Sequence, residues 1–87
     1  MLNLEKPMAT LRDKAVIRNP LMALPAAKEL SHLPPECRAV IRRLFKEISA
    51  DSRVRAEKCW RTHKAPMAAY WKAVAVYANH ASRLVLP

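Results

Sequence analysis

Cys59 and His63 stand one helical turn apart, an i, i+4 spacing that puts a thiol and an imidazole on the same face of a helix. That is half of a structural zinc site, which takes four ligands and normally draws them from two close pairs. Cys37, His32 and His80 are the other candidates, and they supply no second pair. The expectation is that no metal is bound. A Cys and His pair can also make a thiolate nucleophile, but that chemistry needs a third orienting group and donors for an oxyanion. Nothing in a chain with no glycine among its 87 residues suggests either. The seven carboxylates, Glu5, Asp13, Glu29, Glu36, Glu47, Asp51 and Glu57, each have a basic neighbour within helical reach or a capping position to fill. Glu57 with Arg61 or Arg53 is an ordinary i, i+4 pair. The residues describe a protein that is not an enzyme and uses no cofactor.

The basic residues are the stronger signal. Sixteen Lys and Arg against seven Asp and Glu give a net charge of +9, and residues 32–65 hold nine of the basic and four of the acidic side chains. At 100° per residue, Arg38, Arg42, Lys46 and Arg53 fall within roughly 80° of one another, a stripe that Arg43 and Arg61 continue. Such a stripe suits either an acidic protein surface or the phosphates of a nucleic acid. Trp60, Tyr70, Trp71 and Tyr77 crowd the chain around Pro66. Most are expected in the core, with one or two exposed beside the stripe as binding anchors.

The elements that must position these residues are helices. Glycine supplies the positive-φ corners of tight hairpins, so a sheet protein without any is improbable, whereas seven prolines punctuate helices that stop and restart. The fold class is all-α, a small three- or four-helix bundle-like domain spanning residues 1–87, with a less regular N-terminal arm over residues 1–33. In that arm Met8, Leu11, Ala15 and Val16 mark a short helix from Pro7 to Arg18, and turns restart at Pro20 and Pro25. Residues 35–63 form a long helix or a broken one. Cys37, Val40, Ile41, Leu44, Phe45 and Ile48 make an apolar stripe in its first half, and Ala56, Cys59, Trp60 and His63 make a second, rotated by roughly 90°. Between them, Ser49 or Asp51 would cap a new helix if the chain breaks. Residues 66–85 form the last helix, starting with Pro66 at its first position and docking on the long helix through Trp71 and Val74 against Leu44 and Ile48. Its alanines would let a neighbouring helix approach closely.

Size and hydropathy set the remaining expectations. A chain this short is near the lower limit for a self-sufficient core, which leaves a homodimer open. The start, Met1 to Lys6, has no basic region leading into an apolar one, and no apolar run approaches the roughly 20 residues that span a bilayer. The protein is expected in the cytoplasm, without a membrane partner and with Cys37 and Cys59 reduced.

The run Arg55, Ala56, Glu57, Lys58, Cys59, Trp60, Arg61, Thr62, His63, Lys64, Ala65, Pro66, Met67, with Ala69 to Tyr77 after it, resembles small early-region accessory proteins of transposable Mu-like bacteriophages. The resemblance covers about a third of the chain and assigns no binding residue. It implies an anti-host protein acting in the bacterial cytoplasm by stoichiometric binding, with a CRISPR effector or the type IV pilus motor as candidate targets. The alternative it leaves open is a protein that binds DNA or alters host transcription.

Overall fold

A computed structural model describes residues 18–85. Within them the chain is all-α: a 3-10 turn at Pro20–Ala23, helices α1 (Pro25–Ser31), α2 (Pro35–Arg61) and α3 (Ala65–Ser82), and a closing 3-10 turn at Arg83–Val85. Proline opens three of these elements, at Pro20, Pro25 and Pro35, where its missing N–H is not needed and its φ is already helical. Pro66 is the second residue of α3 rather than the first. The expected helix from Pro7 to Arg18 lies outside the described residues.

The long segment is one continuous helix of 27 residues. Neither Ser49 nor Asp51 caps a new helix: Asp51 is exposed in mid-helix, and Ser49 and Ser52 are buried, at 4% and 2% exposure. They lie on a seam that runs Arg38, Arg42, Phe45, Ser49, Ser52, Ala56, Cys59 at alternate spacings of four and three, all of them buried or half-buried. On α3 the matching seam is Ala68, Trp71, Ala75, Ala78, Ser82. A 3.5-residue repeat on both helices keeps the two seams facing along their length. Small residues then let the helices close until the Ser49 hydroxyl of α2 donates a 2.7 Å hydrogen bond to the backbone carbonyl of Ala75 on α3.

This seam corrects the expected core. The buried apolar residues are Ala27, Ala68, Ala75, Ala78 and Val85, whereas Leu44 and Ile48 are 46% and 45% exposed and Cys37 and Val40 are also at the surface. Trp71 and Val74 are only half-buried. Large side chains along the middle of the seam would hold the helices apart, so alanine and serine meet there while Val40, Leu44 and Ile48 turn outward.

The connection between α2 and α3 shows how a chain without glycine turns. Thr62 ends α2, and His63 takes the left-handed conformation, φ 61°, that glycine usually fills. Lys64 N–H donates to the Cys59 carbonyl at 2.8 Å and His63 N–H to that of Trp60 at 3.3 Å, which closes the helix end in a Schellman arrangement. At the open end of the hairpin, Asn19 donates through Nδ2 to the His80 carbonyl at 2.8 Å, and Arg38 donates to the Ser31 carbonyl at 3.3 Å. These contacts fasten the N-terminal turns across the helix ends.

Candidate functional site

Two helices joined by a close seam leave a furrow on each side. One of these furrows, about 750 Å³, is lined by Ala56, Ala65, Ala68, Ala69, Ala75 and Val76, with Arg53, Glu57, Trp60 and Lys72 around them. The alanines that permit the close approach thereby also make its floor. Arg53 projects from α2 and Lys72 from α3, so cations from both helices border one apolar strip. Trp60 stands at the rim with 68% of its surface exposed. A smaller hollow of about 410 Å³ follows on the outer flank of α2, among Ala39, Arg42, Arg43, Lys46, Glu47 and Ala50.

The six basic residues read from the sequence divide into three groups. Arg38 and Arg42 occupy seam positions at the open end and are half-buried, not exposed as their stripe implies, and the Nε of each is buried without a hydrogen-bond partner. Arg38 ties α2 to the end of α1. Arg43 forms a 2.9 Å ion pair with Glu47, and Arg61 sits 3.6 Å from Glu57, both on the exposed surface. Lys46 and Arg53 are exposed and make no ion pair among the described residues. The working set is therefore Lys46 and Arg53, bordered by Arg42 and joined by Lys72, which the stripe on α2 could not include because it lies on another helix.

The aromatics also sort differently from the core assignment. Trp60, Tyr70 and Tyr77 are exposed. Trp71 packs edge-on to Tyr70, with ring centroids 5.1 Å apart, and the Arg55 guanidinium lies 5.3 Å from its ring centroid. These contacts hold Arg55 on the side of the hairpin away from the furrow, which separates it from the other cations.

The candidate metal ligands are scattered. Cys59 is half-buried in the seam, His63 is exposed in the turn, Cys37 and His32 are exposed near the opposite end, and His80 belongs to the last turns of α3. Among the described residues no three His, Cys, Asp or Glu side chains gather into a possible metal site. No helix there is long and apolar enough to cross a membrane. What the arrangement offers is a surface: an apolar strip floored by alanine, cations on both banks and one large exposed aromatic at the rim. No family model, curated protein or solved structure matches this chain.

Proposed function

We propose that this chain is a protein-binding module, and that its basic furrow seats an acidic segment of the partner. The observation that carries the reading is the pairing of an alanine floor with Arg53 and Lys72 on opposite banks. Alanine on the floor leaves room for the side chains of an incoming helix, and the two cations match carboxylates along its edges. Trp60, held at the rim and exposed, supplies the large apolar contact typical of a binding hot spot. Lys46 and Arg42 extend the positive field along α2 and would speed encounter with an acidic surface. Through the resemblance to Mu-like phage accessory proteins, the partner is a bacterial host protein, with a CRISPR effector or the pilus motor as candidates, and binding inhibits it.

The unpaired cations also favour a second reading, in which they track nucleic-acid phosphates. Against it stands the floor, because phosphates gain nothing from an alanine strip, and the chain contains no glutamine to read a base edge. The two readings separate in one experiment. Immobilised protein is exposed to nuclease-treated bacterial lysate beside an Arg53→Glu, Lys72→Glu variant. A protein captured in stoichiometric amount by the native chain and lost from the variant supports the proposal. Capture that disappears with nuclease treatment, or that survives the double reversal, overturns it.

A further inference from the structure

The side of the hairpin opposite the furrow is apolar and uncovered. At 100° per residue, Ile48, Leu44 and Val40 lie about 70°, 110° and 150° from the α2 seam, and Met67, Tyr70 and Tyr77 lie about 60°, 120° and 140° from the α3 seam, all in the same rotational sense. Because the helices run antiparallel, these rotations bring both stripes to the same side. All six residues are between 45% and 62% exposed. Their exposed surface totals roughly 600 Å², at the upper end of the largest patch that a typical monomer shows. Of the charged residues on the two long helices, the same count brings Asp51, Arg55 and Lys58 onto this side, with Lys58 at its outer edge beside Val40.

We propose that this face binds the same face of a second copy, forming a two-fold dimer in which two hairpins stack as a four-helix bundle. Three observations favour a second copy over another occupant. The fold measures 56 × 37 × 16 Å, and its thinnest dimension is a single layer of helices. A domain ordinarily needs two layers to enclose a core, and here, among the described residues, those that are buried include no apolar side chain larger than valine. Next, the roughly 600 Å² of exposed surface on these six residues alone approaches the area, about 800 Å², that each partner buries in a standard interface. Finally, charge is segregated: the unpaired cations Lys46, Arg53 and Lys72 point to the furrow side, so two strongly positive chains can meet through their least charged faces. The dimer leaves both furrows open on its outer surfaces, so it does not depend on the function proposed for them.

Sedimentation equilibrium of the full chain tests this directly. The expected result is a species of twice the 9.9 kDa chain mass at micromolar concentration. Leu44→Glu should weaken the dimer roughly hundredfold or more, since two-fold symmetry places the substitution in the interface twice. Tyr77→Glu, on the other helix, should do the same, while Lys46→Glu on the furrow side leaves the mass unchanged. Circular dichroism on each variant establishes that the helices persist. A native chain of 9.9 kDa throughout the concentration range overturns the proposal. It would assign the face to another occupant, with the N-terminal segment 1–17 next to be tested by truncation. A dimer that Lys46→Glu dissociates and the two face variants do not would overturn it as well.

Discussion

Replacing Ala75 with leucine tests whether alanine and serine hold this fold together. Ala75 is 1% exposed, and its carbonyl accepts the buried Ser49 hydroxyl at 2.7 Å. A leucine there has no space, because a serine side chain already reaches the backbone of the facing helix. Overpacking of this kind costs about 1 to 3 kcal/mol. Pushing the helices apart also breaks the Ser49 hydrogen bond, worth about 1 kcal/mol. The sum, about 2 to 4 kcal/mol, is a large share of the roughly 4 to 13 kcal/mol expected for a chain of this length. At about 4 to 8 °C per kcal/mol, the melting temperature should fall by roughly 10 to 30 °C. The assay is thermal unfolding followed by circular dichroism at one fixed protein concentration, since dimerisation would make the midpoint depend on it. Ala69→Leu is the control: Ala69 is on the same helix but exposed, so the change should stay within about 0.5 kcal/mol. If Ala75→Leu is as mild as Ala69→Leu, or stabilises the protein, the seam is not closely packed and the argument for it fails.

Three further outcomes are expected. Trp71→Ala should cost about 1 to 3 kcal/mol, less than the 3 to 5 of a fully buried ring, because Trp71 is half-buried between Tyr70 and Arg55; a loss above that range in chemical denaturation would place the ring in the core. His63→Gly should stabilise the chain by about 0.5 to 1 kcal/mol by relieving a left-handed non-glycine residue, partly offset by the greater freedom of glycine when unfolded. A lower melting temperature for that variant would mean the imidazole makes a contact the turn depends on. A chelator should leave the melting curve unchanged, given the dispersal of the cysteines and histidines, and a fall in midpoint would restore Cys59 and His63 as ligands.

The all-α class and the helix starts were legible because the absence of glycine and the spacing of proline act locally. The core was not. Periodicity marked Leu44 and Ile48 as a buried stripe by their volume and hydropathy, but which face of a helix turns inward depends on what it meets, and here the partner was a strip of alanine. Ser49 and Asp51 suggested a break since serine and aspartate so often cap helices. The signal that would have found the seam is the alternation of three and four through Ser49, Ser52, Ala56 and Cys59, matched by Ala68, Trp71, Ala75, Ala78 and Ser82. The close approach expected from the alanines of the last helix was correct. The basic stripe was half legible: a count of angles grouped Arg38 and Arg42 with Lys46, but the first two lie along the seam. Lys72 escaped because a furrow between helices draws on residues distant in sequence. Trp60 was recognised as a possible anchor only as one of four aromatics, and exposure alone separated it from Trp71.

The most direct test of the furrow as a protein-binding site uses Trp60 as its own reporter. In a Trp71→Phe background Trp60 is the sole tryptophan, and its emission can be followed while either the captured host protein or a short duplex DNA is added at physiological salt. The account expects a saturable one-to-one response to the protein, lost in the Arg53→Glu, Lys72→Glu variant, and only weak binding of DNA. Tight DNA binding that falls steeply with salt, with a logarithmic slope reduced by about two in the double reversal, would contradict it and assign these cations to phosphate.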